Sequence, residues 1–119
     1  QDSLKDTTLT GIELTKKLLS LKNPPTAIIC SLDKFFIGCL QECQKKGLNV
    51  PNDISVVGYN DHDNYLSSQN LTFISHPLTK MGKMAVEILE KIEKGENPNN
   101  LSKLIEPILN EGKSDGKIT

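Results

Sequence analysis

Apolar side chains fall into two patterns along this chain: a three-and-four spacing that makes one face of a helix, and short unbroken runs that suit a buried strand. Leu14, Leu18 and Leu21 recur at helical spacing between Gly11 and the Asn23-Pro24-Pro25 breaker. This predicts an amphipathic helix from Thr10 to Lys22 with a firm stop at the prolines. Residues 26–31 (TAIICS) are short and apolar and read as a strand covered on both faces. Asp33 is placed to cap the helix that follows, whose stripe of Phe36, Cys39, Leu40 and Cys43 ends at Gly47. Residues 48–53 (LNVPND) carry turn chemistry, and 54–59 (ISVVGY) form a second strand that Asn60, Asp61, His62, Asp63 and Asn64 break abruptly. A third strand is expected over 71–75 (LTFIS), stopped by Pro77. Beyond it, Leu78, Met81, Ala85, Ile88, Leu89 and Ile92 make one stripe of a long helix ending near Gly95, with a loop over Asn97 to Asn100. The apolar group from Leu104 to Leu109 contains Pro107, so it can be no more than an edge strand or a crossover. The remaining GKSDGKIT reads as tail.

Apolar strands alternating with helices imply an α/β fold, a parallel sheet flanked by helices. At 119 residues the chain has one domain's length. Its 36% hydrophobic and 24% charged residues, with a mean hydropathy of -0.34, indicate neither disorder nor a membrane protein. No segment approaches the roughly 18 apolar residues of a membrane-spanning helix. The opening residues, QDSLKDTTLTG, lack the basic start and apolar stretch of a signal peptide. The formal net charge is -1 and the lysines are scattered, which leaves no nucleic-acid-binding surface within this stretch. Three cysteines without a repeated spacing argue against a disulfide framework and fit a reducing compartment, with the cytoplasm as default. Cys39 and Cys43 lie one helical turn apart, where a metal-ligand pair is geometrically possible. With no other clustered soft ligand they read as small core hydrophobes.

In an open parallel sheet, ligands bind beyond the carboxyl ends of the strands. Those ends are Ser31-Leu32-Asp33, Tyr59-Asn60-Asp61 and Ser75-His76, and at each the apolar run gives way to hydrogen-bonding residues. Singly, Asp33 is a helix cap and Asn60 and Asp61 are turn formers; their convergence on one edge is what points to a binding rim. Catalytic templates are missing: there is no Gly-x-Ser-x-Gly elbow, no phosphate-binding glycine loop, and no nucleophile spaced to serve His62 and Asp63. Asp61-His62-Asp63 reads as a solvated turn, and neither a metal nor another cofactor is expected.

The stretch from Pro25 to Asp61, PTAIICSLDKFFIGCLQECQKKGLNVPNDISVVGYND, closely resembles the effector-binding domain of the lactose-repressor (LacI/GalR) family of bacterial transcription regulators. The resemblance rests on Pro-Thr-Ala-Ile opening a strand, Asp33 opening a helix, Gly47-Leu-x-Val-Pro-x-Asp, Ile-Ser-Val-Val-Gly-Tyr, and Leu71-Thr72 leading to Pro77 and Met81-Gly82. It weakens after about Gly95.

The resemblance implies a fragment of a two-lobed, periplasmic-binding-protein-like domain that lacks the helix-turn-helix and the first lobe. Residues 1–75 and 105–119 would belong to the distal lobe, and the helix of residues 78–94 to the other. The family's effector contacts fall by position on Leu32, Asn60 and His76, with Asp33 and Asp61 at the rim and Ser75 and Pro77 at a hinge. Leu32 stands where asparagine is common, and Asn60 where the family commonly has an aspartate, so one amide and one carboxylate of the usual set are missing. The implied function is sensing of a small polar effector, a sugar or related metabolite, by a cytoplasmic homodimer that reaches operator DNA through the absent N-terminal domain. The alternative is a sugar-binding receptor of a transport system with the same fold. A doubly wound enzyme or phosphoacceptor domain would need an acidic pocket with a suitably placed lysine, which the sequence does not display. If the helix of residues 78–94 normally packs on a missing lobe, its apolar stripe must be covered by its own sheet or by another molecule.

Overall fold

A computed structural model describes residues 7–59 and 64–117. Among them the order is α1 (Thr8–Leu19), β1 (Ala27–Ile29), α2 (Asp33–Lys45), β2 (Ser55–Tyr59), α3 (Tyr65–Ser68), β3 (Phe73–Ser75), α4 (Leu78–Glu93), a 3-10 turn (Pro98–Asn100) and β4 (Ile108–Asn110). The sheet runs β1-β2-β3-β4. β1 and β2 are parallel, with Ala27 opposite Ser55, and β2 and β3 are parallel, with Gly58 opposite Phe73.

The core lies where α2 meets the sheet. Phe36, Cys39 and Cys43 from α2 pack with Ile28, Cys30, Ile54, Val56 and Phe73. Leu66 of α3 completes this cluster, and a Cβ on Gly58 would come within 2.6 Å of its side chain. Helix α3 has a single apolar anchor in four residues, too short for any periodic signal.

Three expectations are corrected here. The leucine stripe of α1 locates the helix but not its packing face. Leu14, Leu18 and Leu21 are exposed, whereas Thr10, Gly11 and Thr15 are buried. The two helices meet through small residues: a Cβ on Gly11 would lie 2.6 Å from the Phe35 carbonyl oxygen, and one on Gly38 would lie 2.2 Å from that of Thr8. Strand β1 is covered on one face only, since Ile28 is buried and Ile29 remains 70% exposed. Asp33 does not precede α2 but is its first residue. Leu32 occupies the cap, and the Asp33 carboxylate accepts the Lys34 amide at 2.7 Å, satisfying one otherwise free donor of the first turn. The far end of α2 follows expectation. Gly47 takes a φ of 73°, and the Leu48 amide turns back to the Cys43 carbonyl at 2.9 Å.

The C-terminal residues are more than a tail. Strand β3 is too short to flank all of β2, and Ser114 fills the gap. Its carbonyl accepts the Val56 amide at 2.7 Å, and its hydroxyl accepts the Thr72 amide at 2.9 Å. The Thr72 hydroxyl in turn accepts the Gly112 amide at 3.0 Å and donates to the Asp115 carboxylate. Ser55 fixes the next step, its hydroxyl accepting the Gly116 amide at 3.1 Å. Ser114 is 1% exposed.

The chain divides into two compact units, residues 1–75 with 109–119 and residues 76–108. The second unit contains α4, which begins after Pro77, ends before Gly95 and has no buried residue. Leu78, Val86 and Leu89 are among its exposed apolar side chains. Pro107 precedes β4, so the proline stays out of the strand.

Candidate functional site

Parallel pairing brings the carboxyl ends of β1, β2 and β3 to one edge of the sheet. At the end of β1 the Cys30 amide is held by the Val57 carbonyl at 2.8 Å, which fixes the exit of the chain into Ser31 and Leu32. Leu32 is half-buried, and its carbonyl accepts the Phe36 amide at 3.0 Å in the first turn of α2. Ser31 is exposed and Asp33 buried. The end of β2 is described as far as the half-buried Tyr59; Asn60, Asp61, His62 and Asp63 lie outside the described residues.

Strand β3 ends at Ser75, and Asn110 in β4 clamps it. The Asn110 amide donates to the Ser75 hydroxyl at 2.9 Å and to the Phe73 carbonyl at 3.3 Å. Sequence patterning gave no warning of Asn110, because a single amide in an apolar edge segment has no period to betray it. His76 follows Ser75 directly and is exposed, and its carbonyl accepts the Leu78 amide at 2.9 Å. Pro77 is the N-cap residue of α4 and offers neither side-chain cap nor amide donor.

Within the second unit, His76, Pro77, Thr79, Lys80, Lys83 and Ile108 line an open concavity of about 660 Å³. The first turn of α4 has no acidic residue and no side-chain cap. The positive end of the helix and the two lysines therefore favour electron-rich groups there. Lys80 and Lys83 were not singled out from sequence, where they read as the solvated face of an amphipathic helix.

Among the described residues no group of three or more His, Cys, Asp or Glu side chains is placed to hold a metal ion. No helix in those residues is long and apolar enough to cross a membrane.

A family model described as periplasmic binding protein-like domain matches residues 3–114. The chain belongs to this family. Within it, the sequence groups with the LacI-type regulators. It is 36% identical over 99 residues to the ribose operon repressor of Haemophilus influenzae, covering 82% of this chain and 30% of that one. It is 40% identical over 85 residues to the HTH-type transcriptional repressor PurR of Glaesserella parasuis, covering 70% and 25%. The fold superposes on a LacI family transcriptional regulator from Bifidobacterium animalis with a TM-score of 0.81, at 27% identity and over 95% of this chain and 42% of the other. The chain thus spans less than a third of the length of these curated relatives. They are named for repression, not for a catalytic activity. As a periplasmic-binding-protein-like domain, the chain carries part of a fold whose parallel sheets meet ligands beyond the carboxyl ends of their strands.

Proposed function

We propose that this chain is the C-terminal portion of the effector-sensing domain of a transcription regulator, contributing to a site for a small polar metabolite such as a sugar. The observation that carries the proposal is the parallel register of β1, β2 and β3, which sets the segments leading to Leu32, Asn60 and His76 along one edge. By their place in the sequence, Asp33 and Asp61 are assigned to the rim of the same site. The chain crosses between its compact units at Ser75–His76 and again at Ile108–Leu109. That division supports a hinge at Ser75 and Pro77, and it supports assigning α4 to a second lobe in the intact protein. An effector held between lobes acts by binding one hinge angle better than another, and so shifts the population of the form that fits DNA. The exposed stripe of α4 gives that lobe, or a second subunit of a homodimer, an apolar face to cover. The relatives named as HTH-type repressors favour a cytoplasmic protein acting on operator DNA through a separate domain.

The test uses the complete protein with a panel of monosaccharides and nucleosides, scored by calorimetry and by operator binding. For a compound that binds, Asn60→Ala and His76→Ala should each weaken affinity by about tenfold, the loss of roughly one good polar contact, while leaving the melting temperature nearly unchanged. Unaltered affinity in both variants refutes the site. A signal sequence upstream, in place of a helix-turn-helix, favours a transport receptor.

A further inference from the structure

The segment that seats Ser114 beside β2 carries chemistry that the effector site does not use. Asp115-Gly116 is the one Asp-Gly pair in the sequence, and each of the other aspartates is followed by a residue with a side chain. Glycine leaves its own amide nitrogen unshielded, so Asp115 is the aspartate whose carboxyl carbon the following nitrogen reaches with least hindrance. Asp115 and Gly116 are both exposed to water. The two groups that would react are nevertheless engaged, each by a hydroxyl far away in sequence. The Thr72 hydroxyl, buried just before β3, donates to the Asp115 carboxylate. The Ser55 hydroxyl at the start of β2 accepts the Gly116 amide at 3.1 Å and donates to the Gly116 carbonyl at 3.2 Å.

We propose that Asp115–Gly116 is a site of spontaneous isoaspartate formation, held in check in the folded chain by the hydroxyls of Ser55 and Thr72. In the reaction the Gly116 nitrogen attacks Cγ of the neutral Asp115 carboxyl group. The N–C bond forms, the bond from Cγ to its hydroxyl oxygen breaks, and that hydroxyl leaves as water with the amide proton. Water then adds to one carbonyl of the cyclic imide. Opening at Cγ restores aspartate, and opening at the main-chain carbonyl leaves Gly116 joined through Cγ. The water lost is regained, and nothing is oxidised or reduced. Ring closure must turn the carboxyl group and the amide toward each other, so it requires the bonds to Thr72 and Ser55 to open first. The rate is therefore set by local opening of this segment. Once formed, isoaspartate lengthens the main chain by a methylene, so the contacts of Asp115 with Thr72 and of Gly116 with Ser55 can no longer both be made. The reaction thereby removes part of what pins the C-terminal segment to β2.

The test incubates the 119-residue chain at neutral pH for weeks beside the free peptide GKSDGKIT, and measures isoaspartate by enzymatic methylation and by chromatographic separation of the isomeric C-terminal peptides. The peptide should isomerise fastest, and the folded chain slower by about tenfold or more. Ser55→Ala should speed the reaction in the chain by about fivefold, the worth of roughly one net hydrogen bond. Gly38→Ala, which weakens the fold at the α1–α2 contact without touching this segment, should speed it less than Ser55→Ala does at matched stability in urea. Gly116→Ala should suppress it in chain and peptide alike, since the added Cβ meets only Pro51, at 3.4 Å. If Ser55→Ala does not fold, the comparison of the unsubstituted chain with the peptide decides. Equal rates in chain and peptide, isoaspartate arising first at another aspartate, or a folded Ser55→Ala chain no faster than Gly38→Ala overturns the proposal.

Discussion

Gly38 shows how a single hydrogen in place of a methyl sets a helix pair. A Cβ there would lie 2.2 Å from the Thr8 carbonyl oxygen, a distance at which backbone must move. Intrinsic propensity favours alanine over glycine inside a helix by about 1 kcal/mol. The clash reverses the sign, so Gly38→Ala should destabilise the fold by about 1–3 kcal/mol, read as a lowered midpoint in urea. Gly82 in α4 is the control. Nothing lies within 4 Å of its would-be Cβ, so Gly82→Ala should stabilise α4 by about 0.5–1 kcal/mol, read as increased helicity and slower exchange of its amides. From sequence the two glycines are indistinguishable, because each interrupts an amphipathic stripe and only the partner backbone separates them. The candidate site shows the same limit. The positions of Leu32 and His76 at strand ends were legible from the abrupt change of polarity, but the clamp that Asn110 places on Ser75 joins residues 35 apart and leaves no local trace.

Strands and helices were located by their periods, and the failures occurred where short-range pattern and packing face diverge. The α1 leucines mark a helix but lie on its exposed side, because the buried side is chosen by how closely α2 can approach. The last segment was missed for the opposite reason. It has no hydrophobic period, yet Ser114 supplies two acceptors to buried amides. Ser114→Ala removes one of them and leaves the Thr72 amide without its partner. The expected loss is about 1–3 kcal/mol of unfolding free energy with an unchanged denaturant slope, a large effect for a serine in a region of charged and glycine residues. A variant indistinguishable from the parent in urea would show that water takes the place of the hydroxyl.

At the level of the whole chain, the two compact units differ in what protects them. Helix α2 buries three side chains, Phe36, Cys39 and Cys43, in the core, whereas α4 buries none of its residues. In hydrogen exchange the amides of α4 should therefore be replaced many-fold faster than those of α2, on the order of 100-fold for a difference of about 3 kcal/mol in opening free energy. In the complete protein the α4 amides should gain protection if a second lobe or subunit covers the stripe; equal protection of both helices in the isolated chain would contradict the exposure described. The seating of Ser114 beside Val56 also governs how the chain is made. A ribosome makes β2 well before residues 112–116, which supply the neighbour of its first half. Throughout that interval the edge has unpaired amides, so the nascent chain stays open to mispairing there, and a chaperone that shields strand edges would act on this stretch until the last of these residues emerges.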